Sequence, residues 1–312
     1  MRVSAIEIGT NSTKFIIAEL NDRGSIEVIK RTSIVNRLST GMYLDNNLSP
    51  LAIERSIEII DNLVNESNKH KAKLISIFST SVLRDAGNKQ VLLDRVKESF
   101  GVEINIISGE KEAYYAYTAC KEVVENKNNR FAVIDIGGGS TEIIVGNVYS
   151  IEQKVSLDIG AVRLTELFVK HDPIEKNELE QITFYINSKI TELGSLDLRG
   201  LQFIGTGGTI KSLGTLSVKE NYSNESKVNG WNLSIDDIER LLGVLSKLNT
   251  EGKISLVGLN PKRADVITTG VLILFTVMRR FNIEQVKIST QGVLEGFVTE
   301  YIKMVGISDS LD

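Results

Sequence analysis

Two acids and three glycines hold the clearest chemical signal in this chain. Asp135 ends an apolar run, Phe131-Ala132-Val133-Ile134. Gly137, Gly138 and Gly139 follow, then Ser140, Thr141 and Glu142, and a second apolar run, Ile143-Ile144-Val145. The pattern reads as strand, tight turn, strand. Glycines admit positive φ and let backbone N–H groups approach an anion with no Cβ in the way. Two carboxylates at the mouth of such a turn suit a divalent cation, and the turn itself suits a phosphate. A charged tip on a plain hairpin is the competing reading. The pattern recurs about 130 residues earlier. Glu7-Ile8 leads into Gly9-Thr10-Asn11-Ser12-Thr13-Lys14, and a strand from Phe15 to Leu20 follows. A third glycine stretch, Gly205-Thr206-Gly207-Gly208-Thr209, lies between a strand and a helix. Free N–H groups and the helix dipole favour an anion there.

The elements that must carry these turns are legible in outline. After the first hairpin, Asn21-Asp22-Arg23-Gly24 has turn chemistry and Ile26 to Thr32 reads as a third strand. Ser49 precedes a helical pattern through Val64, and Ser234 precedes another from Ile235 to Leu248. Strands are expected at 73–78, 102–107, 201–204 and 285–289, and a strand with its turn at 153–160. Helices are expected at 90–100, from Ser108 to about Glu125, and at 161–170, 177–193, 210–216 and 265–281, with a last one from Gly292. The polar run 125–130 is the best linker candidate, which divides the chain into 1–125 and 126–312.

Composition bounds the rest. The chain has 312 residues and 42% hydrophobic residues, enough for two cores. A net charge of −4 argues against a general nucleic-acid or anionic-membrane partner. A single cysteine, Cys120, excludes a disulfide framework, and His70 and His171 lack ligand spacing. The apolar stretch Val266–Met278 is too short to span a bilayer, and the N-terminus has no secretory h-region. A cytoplasmic setting is the expectation.

The motifs IEIGTNST (6–13), STSVLRDAGN (79–88), ISGEKEA (107–113), VIDIGGGSTE (133–142), SLDIGAVRLTE (156–166), IGTGGT (204–209), NPKRADVI (260–267) and STQGVLEG (289–296) together resemble the Ppx/GppA group of exopolyphosphatases and guanosine pentaphosphate phosphohydrolases. They run in family order along nearly the whole chain. The chain stops where the two actin-like domains of that family end, without the helical domains of its longer members. The resemblance implies an α/β fold of two actin-like (ribonuclease H-like) domains, each a mixed five-stranded sheet with flanking helices, with the active-site cleft between them. The last helix is an option for packing back on the first domain.

The resemblance also implies a chemistry. The reaction would be hydrolysis of the terminal phosphoanhydride of inorganic polyphosphate, or alternatively of the 5′ phosphate of pppGpp. Asp135 and Glu142 would hold Mg²⁺ or another divalent cation. Thr10, Asn11, Ser12, Arg84, Gly137, Gly138, Gly139, Ser140, Gly207, Gly208 and Thr209 would bind phosphate. Glu112, the second acid of the SGxEEA-type motif, would orient the attacking water, and a nearby phosphate would raise its pKa towards the range of a base. Glu110 stays open as the base instead, with Glu112 as a helix-start residue. Arg84 could pair with Asp85, and Asp158 with Arg163. Lys14 and Lys211 read as solvated, and Tyr114, Tyr115 and Tyr117 as packing. Glu7, Lys111 and Leu294 depart from the family pattern, Leu294 by standing where the family has an arginine. A homodimer stays open as the assembly. An ATP-dependent kinase or chaperone on the same superfold and a non-catalytic phosphate sensor are the readings from other classes. Intact Glu112, Asp135 and Glu142 argue against the sensor.

Overall fold

Strand alternation organises the first sheet. In β1 (Arg2–Ile8), Ile6 and Ile8 point to one face while Val3, Ala5 and Glu7 point to the other. The computed structural model describes residues 2–21, 26–191 and 196–308. The expected turn at Asp22-Arg23-Gly24 and the end of the helix expected to reach Leu193 lie outside the described residues. One unit runs to Ala119 and resumes at Val293; the other is Cys120–Gly292.

In the first unit, β1 pairs antiparallel with β2 (Ser12–Leu20), which pairs antiparallel with β3 (Ile26–Val35). Two helices follow: the short α1 (Met42–Asp45), and the 20-residue α2 (Pro50–Lys69), whose first turn is capped by Ser49 Oγ accepting from Ala52 N at 3.2 Å. Next come β4 (Lys73–Ser79), α3 (Ser81–Asp85), α4 (Lys89–Phe100), β5 (Ile104–Ile106) and α5 (Gly109–Cys120). β4 lies parallel to β1 and β5 parallel to β4, so the sheet order is β3-β2-β1-β4-β5.

The second unit repeats that order. β6 (Phe131–Ile136), β7 (Thr141–Gly146) and β8 (Ile151–Leu157) form the antiparallel meander. After α6 (Ala161–Phe168) and α7 (Lys176–Thr191), β9 (Gln202–Thr206) joins β6 in parallel. The chain continues through α8 (Gly208–Ser217), β10 (Asn232–Ser234), α9 (Ile235–Leu245), α10 (Thr250–Ile254), α11 (Ile267–Phe281) and β11 (Gln285–Ile288). The last helix, α12 (Val293–Ser308), belongs to the first unit. This sheet has six strands, not five, in the order β10-β11-β9-β6-β7-β8. Five of them reproduce the order of the first sheet. The sixth, β10, is a three-residue edge strand, too short to leave a period-2 signature in the sequence.

Both faces of the first sheet are covered. On one, Ile6, Ile8, Phe15 and Ile17 pack with Ile53, Ile60 and Leu63 of α2 and Leu92 and Val96 of α4. On the other, Val3, Ala5, Ile16 and Ala18 pack with Tyr115 of α5 and Val293, Leu294, Val298 and Ile302 of α12. Leu294 is fully buried there, so its place in the family motif is filled by packing rather than by a basic contact. Next to it, a Cβ on Gly296 would lie 1.9 Å from the Tyr115 carbonyl oxygen, so α5 and α12 approach closely only because that residue is glycine. The second sheet rests Ala132, Ile134, Ile136, Ile143 and Val145 on α6, α7 and α11.

Candidate active site

Asp135 and Glu142 are direct cross-strand partners in the β6–β7 hairpin, so their side chains share one face of the sheet. Asp135 is 6% exposed and Glu142 fully buried. Glu142 Oε1 accepts from Ser156 Oγ at 2.7 Å. Two carboxylates thus stand directly opposite each other, both buried. The donors are hard carboxylate oxygens, the type Mg²⁺ takes in ones or twos while phosphate and water complete its shell. Among the described residues no group of three or more His, Cys, Asp or Glu could hold a metal ion. The pair alone supplies two hard oxygen donors of the type a divalent cation takes.

The turn between them has its carbonyls tied back. Gly137 O accepts from Ala161 N at 3.0 Å, and Gly138 O from Val162 N and Arg163 N at 2.9 and 3.0 Å. Gly139 O accepts from Arg163 Nε at 2.7 Å. The N-terminus of α6 thus holds the turn from below. Gly160 makes this possible, since a Cβ there would sit 2.4 Å from Gly138 O. The N–H groups of Gly138, Gly139 and Ser140 have no acceptor among the described residues, and the buried Ser140 hydroxyl has no partner there either. Donors without acceptors in one tight turn make an anion nest. Arg163 also reaches the exposed Asp158, at 3.5 Å, but its short bond is to the turn.

The third glycine loop meets the same carboxylate. Gly207, at φ 93°, lies so close to Asp135 that a Cβ would be 2.6 Å from its Oδ1. Gly208 and Thr209 open α8, and the Thr209 side chain packs against Gly270 of α11. Arg263 is a residue that motif spacing did not single out. Its guanidinium occupies the space a Gly208 Cβ would need, with Nη1 1.9 Å from that position. Burial lowers the pKa of Arg263, opposed by the field of Glu225. It precedes the loop's partner helix but follows the loop by 55 residues, so only the NPKRADVI motif hinted at it.

The N-terminal unit carries a matching turn. Gly9 N donates to Ser12 O at 3.0 Å, as Gly137 N does to Ser140 O. Asn11 O accepts from Asn36 N and Arg37 N at 3.0 Å, and Thr10 O from Ser39 N at 3.4 Å. The N–H groups of Thr10 and Asn11 have no acceptor among the described residues, nor do Asn11 Nδ2 and Ser12 Oγ have partners there. The two turns differ in charge. Glu7 pairs across the strands with Lys14, whose Nζ lies 2.7 Å from Glu7 Oε1. Lys14 is thus bound rather than solvated, and it neutralises the acid that Glu142 would double. Lys211, also read as solvated, is mostly buried and pairs with Glu225 at 3.1 Å.

Arg84 and Glu112 meet in the same unit. Thr10 Oγ1 hydrogen bonds with Ser81 Oγ at 3.1 Å, at the start of α3, and Arg84 lies one turn on. Arg84 Nη1 donates to Glu112 Oε2 at 2.7 Å and to Ile107 O at 3.0 Å, so its partner is Glu112 rather than Asp85. Glu112 is 6% exposed in the first turn of α5, whereas Glu110 is exposed. Burial and the Arg84 contact separate Glu112 from the exposed Glu110. Tyr115 and Tyr117 are buried, and the Tyr115 ring meets Phe297 edge-on, so these rings pack as expected.

A sheet order repeated in both units, with a matching glycine turn at each first hairpin, defines a fold of the actin-like type. Residues 16–304 match the model of the Ppx/GppA phosphatase family, and the chain belongs to that family. Membership makes it a phosphohydrolase by family. It is similar to the bifunctional 3-dehydroquinate synthase/phosphatase of Fusobacterium nucleatum, at 31% identity over 96% of this chain; the chain spans 46% of that relative's length. Exopolyphosphatase 2 of Mycobacterium tuberculosis is 27% identical over 95% of this chain and 97% of its own. The solved Aquifex aeolicus member of the Ppx/GppA family is 28% identical with a TM-score of 0.79, covering 97% of this chain and 98% of that one. Among the described residues no helix is long and apolar enough to cross a membrane.

Proposed function

We propose that the protein is an exopolyphosphatase that removes the terminal phosphate of inorganic polyphosphate as orthophosphate. The observation that carries this reading is the repeated nest: each unit offers N–H donors and a buried serine hydroxyl without protein acceptors. Each nest, taken by itself, suits phosphate oxygens. The name of the Mycobacterium tuberculosis relative supports the same substrate class.

In this reading Glu112 orients a water and accepts its proton as the oxygen attacks the terminal phosphorus. The bridging P–O bond breaks, and the shortened chain leaves as an anion. Arg84 fixes the Glu112 carboxylate and offers its remaining N–H groups to phosphate oxygens. The turns at 9–12 and 137–140, the 207–209 loop and Arg263 offer donors to phosphate oxygens. Asp135 and Glu142 would hold Mg²⁺, which when bound neutralises phosphate charge. The protein works in the cytoplasm, and its assembly as a homodimer is open to measurement of its mass in solution.

The test is a phosphate-release assay with polyphosphates of several lengths, pppGpp and ATP, each with and without Mg²⁺. Release from polyphosphate that stops on adding EDTA is the expected result. Faster release from pppGpp would replace the substrate with the guanosine alternative. Undiminished release in EDTA would remove the metal from the reading.

A further inference from the structure

The turn at 9–12 is held from behind by the segment after β3, and that segment has a fastening of its own. Asn36 N and Arg37 N both donate to Asn11 O at 3.0 Å. Two successive N–H groups converge on one oxygen when the second residue enters the left-handed region. Arg37 does so, at φ 49°. That conformation is uncommon for a residue with a Cβ and persists where neighbours hold it. Asn36 is fully buried, and both ends of its side chain are engaged. Its Nδ2 donates to Thr13 Oγ1 of β2 at 2.7 Å, and its Oδ1 accepts from Leu38 N at 3.3 Å. Residues 36–37 therefore spend their N–H groups on the turn, which leaves their carbonyls to be accounted for.

Arg55, on α2, takes both. Its Nε donates to Asn36 O at 2.6 Å and its Nη2 to Arg37 O at 3.3 Å. The bond to Asn36 O is short and charge-assisted. Arg37 O also accepts from Thr40 N and Thr40 Oγ1, at 3.2 and 2.9 Å, so Asn36 O is where Arg55 matters more. The second unit uses an arginine from the corresponding crossover. Between β8 and β9, α6 supplies Arg163, whose Nε donates to Gly139 O at 2.7 Å. Between β3 and β4, α2 supplies Arg55.

We propose that Arg55 is a positioning residue for the 9–12 nest. By holding the carbonyls of Asn36 and Arg37 it keeps their N–H groups on Asn11 O. The Asn11 carbonyl then stays turned from a bound phosphate, and the Thr10 and Asn11 N–H groups stay free for it. This rests on the reading of the turn as a phosphate nest. A carbonyl dipole turned towards an anion opposes binding, so Arg55 acts on phosphate affinity through the segment it fastens.

Nuclear magnetic resonance of the full chain, titrated with inorganic phosphate, tests this nest by nest. In wild type the Thr10 and Asn11 amides should report one affinity, and the Gly138 and Gly139 amides another. Arg55→Met should weaken the first by about tenfold, the scale of one charge-assisted hydrogen bond, and leave the second unchanged. Arg55→Lys, which keeps a cationic donor, should recover part of the loss. Equal affinities at Thr10 and Asn11 in wild type and Arg55→Met overturn the proposal. So does an equal loss at both nests, which a general loosening of the fold would give. Amide hydrogen exchange without phosphate separates the proposal from the reading beneath it. The Asn36 and Arg37 amides should exchange about tenfold faster in Arg55→Met, and unchanged exchange overturns the clamp whatever the turn binds. Faster exchange beside wild-type Thr10 and Asn11 amides that ignore phosphate would keep the clamp and overturn the nest.

Discussion

Single side chains decide between readings that the sequence leaves level. Glu110 and Glu112 sit two positions apart at the start of one helix, and nothing in their spacing selects one. Burial and the 2.7 Å contact with Arg84 set Glu112 apart, and the proposed reading gives it the base's role. Glu112→Gln should lower kcat by about 10²–10⁴ while polyphosphate binding persists, read by single-turnover phosphate release and a separate binding titration. Unchanged turnover would return the role to Glu110. Ser140 offers a cleaner separation of stability from binding. Its buried hydroxyl has no protein partner among the described residues, so Ser140→Ala should leave the melting curve within about 0.5 kcal/mol of wild type. Phosphate affinity should fall by about 1.5–3 kcal/mol, the worth of a hydrogen bond to a charged group. A loss of stability with intact affinity would show a structural hydroxyl. The Arg84–Glu112 contact was hidden from the sequence because the partners are 28 positions apart and each has a closer candidate. Arg263 was hidden for a related reason, because its contact is with a glycine, which has no side chain to suggest one.

Elements were easier to read than contacts. Ser49 and Ser234 cap α2 and α9 as their positions promise, because a cap is a local bond three residues long. The glycine turns were legible for the same reason. The edge strand β10 was not, since three residues carry no period. What local pattern could not show is that α6 commits its first N–H groups to the carbonyls of another element. Gly160→Ala should push the 137–140 turn away from α6. It should cost about 1–3 kcal/mol of stability in chemical denaturation and lower phosphate affinity with it. An unaffected turn would mean the backbone yields elsewhere. The loop after α6 has its own anchor in Glu178, a buried acid of α7. Its carboxylate accepts from Lys170 N at 2.7 Å, Glu175 N at 2.9 Å and contacts His171 Nδ1 at 3.0 Å. Burial pushes its pKa up, but the N–H groups of Glu175 and Lys170 with His171 more than reverse this, and the net direction is down from 4.5. A lowered carboxylate stabilises the fold above its unfolded value and loses that contribution as pH falls through the folded one. Glu178→Gln should therefore cost about 1–3 kcal/mol near neutral pH and flatten the acid limb below about 4.5, followed by urea melts across pH. Parallel curves for the two proteins would exclude the effect.

At the scale of the whole molecule the two sheets share an order, β3-β2-β1-β4-β5 against β8-β7-β6-β9-β11, and their hairpins share a turn. Their charges have diverged. One hairpin places acid against acid, Asp135 with Glu142, and the other acid against base, Glu7 with Lys14. In the proposed reading only the first holds a cation. Mn²⁺ binding, followed by electron paramagnetic resonance, should weaken about tenfold or more in Asp135→Asn and Glu142→Gln. It should be unchanged in Glu7→Gln, and equal losses in all three would contradict the division. The return of α12 to the first unit has a consequence for biogenesis. Made from the N-terminus, the chain places all of Cys120–Gly292 between the first unit's sheet and the helix that covers one of its faces. Until Val293, Leu294, Val298 and Ile302 leave the ribosome, Val3, Ala5, Ile16 and Ala18 have an unshielded side. The second unit can finish folding first, and the nascent first unit passes through a sticky, half-clad stage that chaperones are suited to guard.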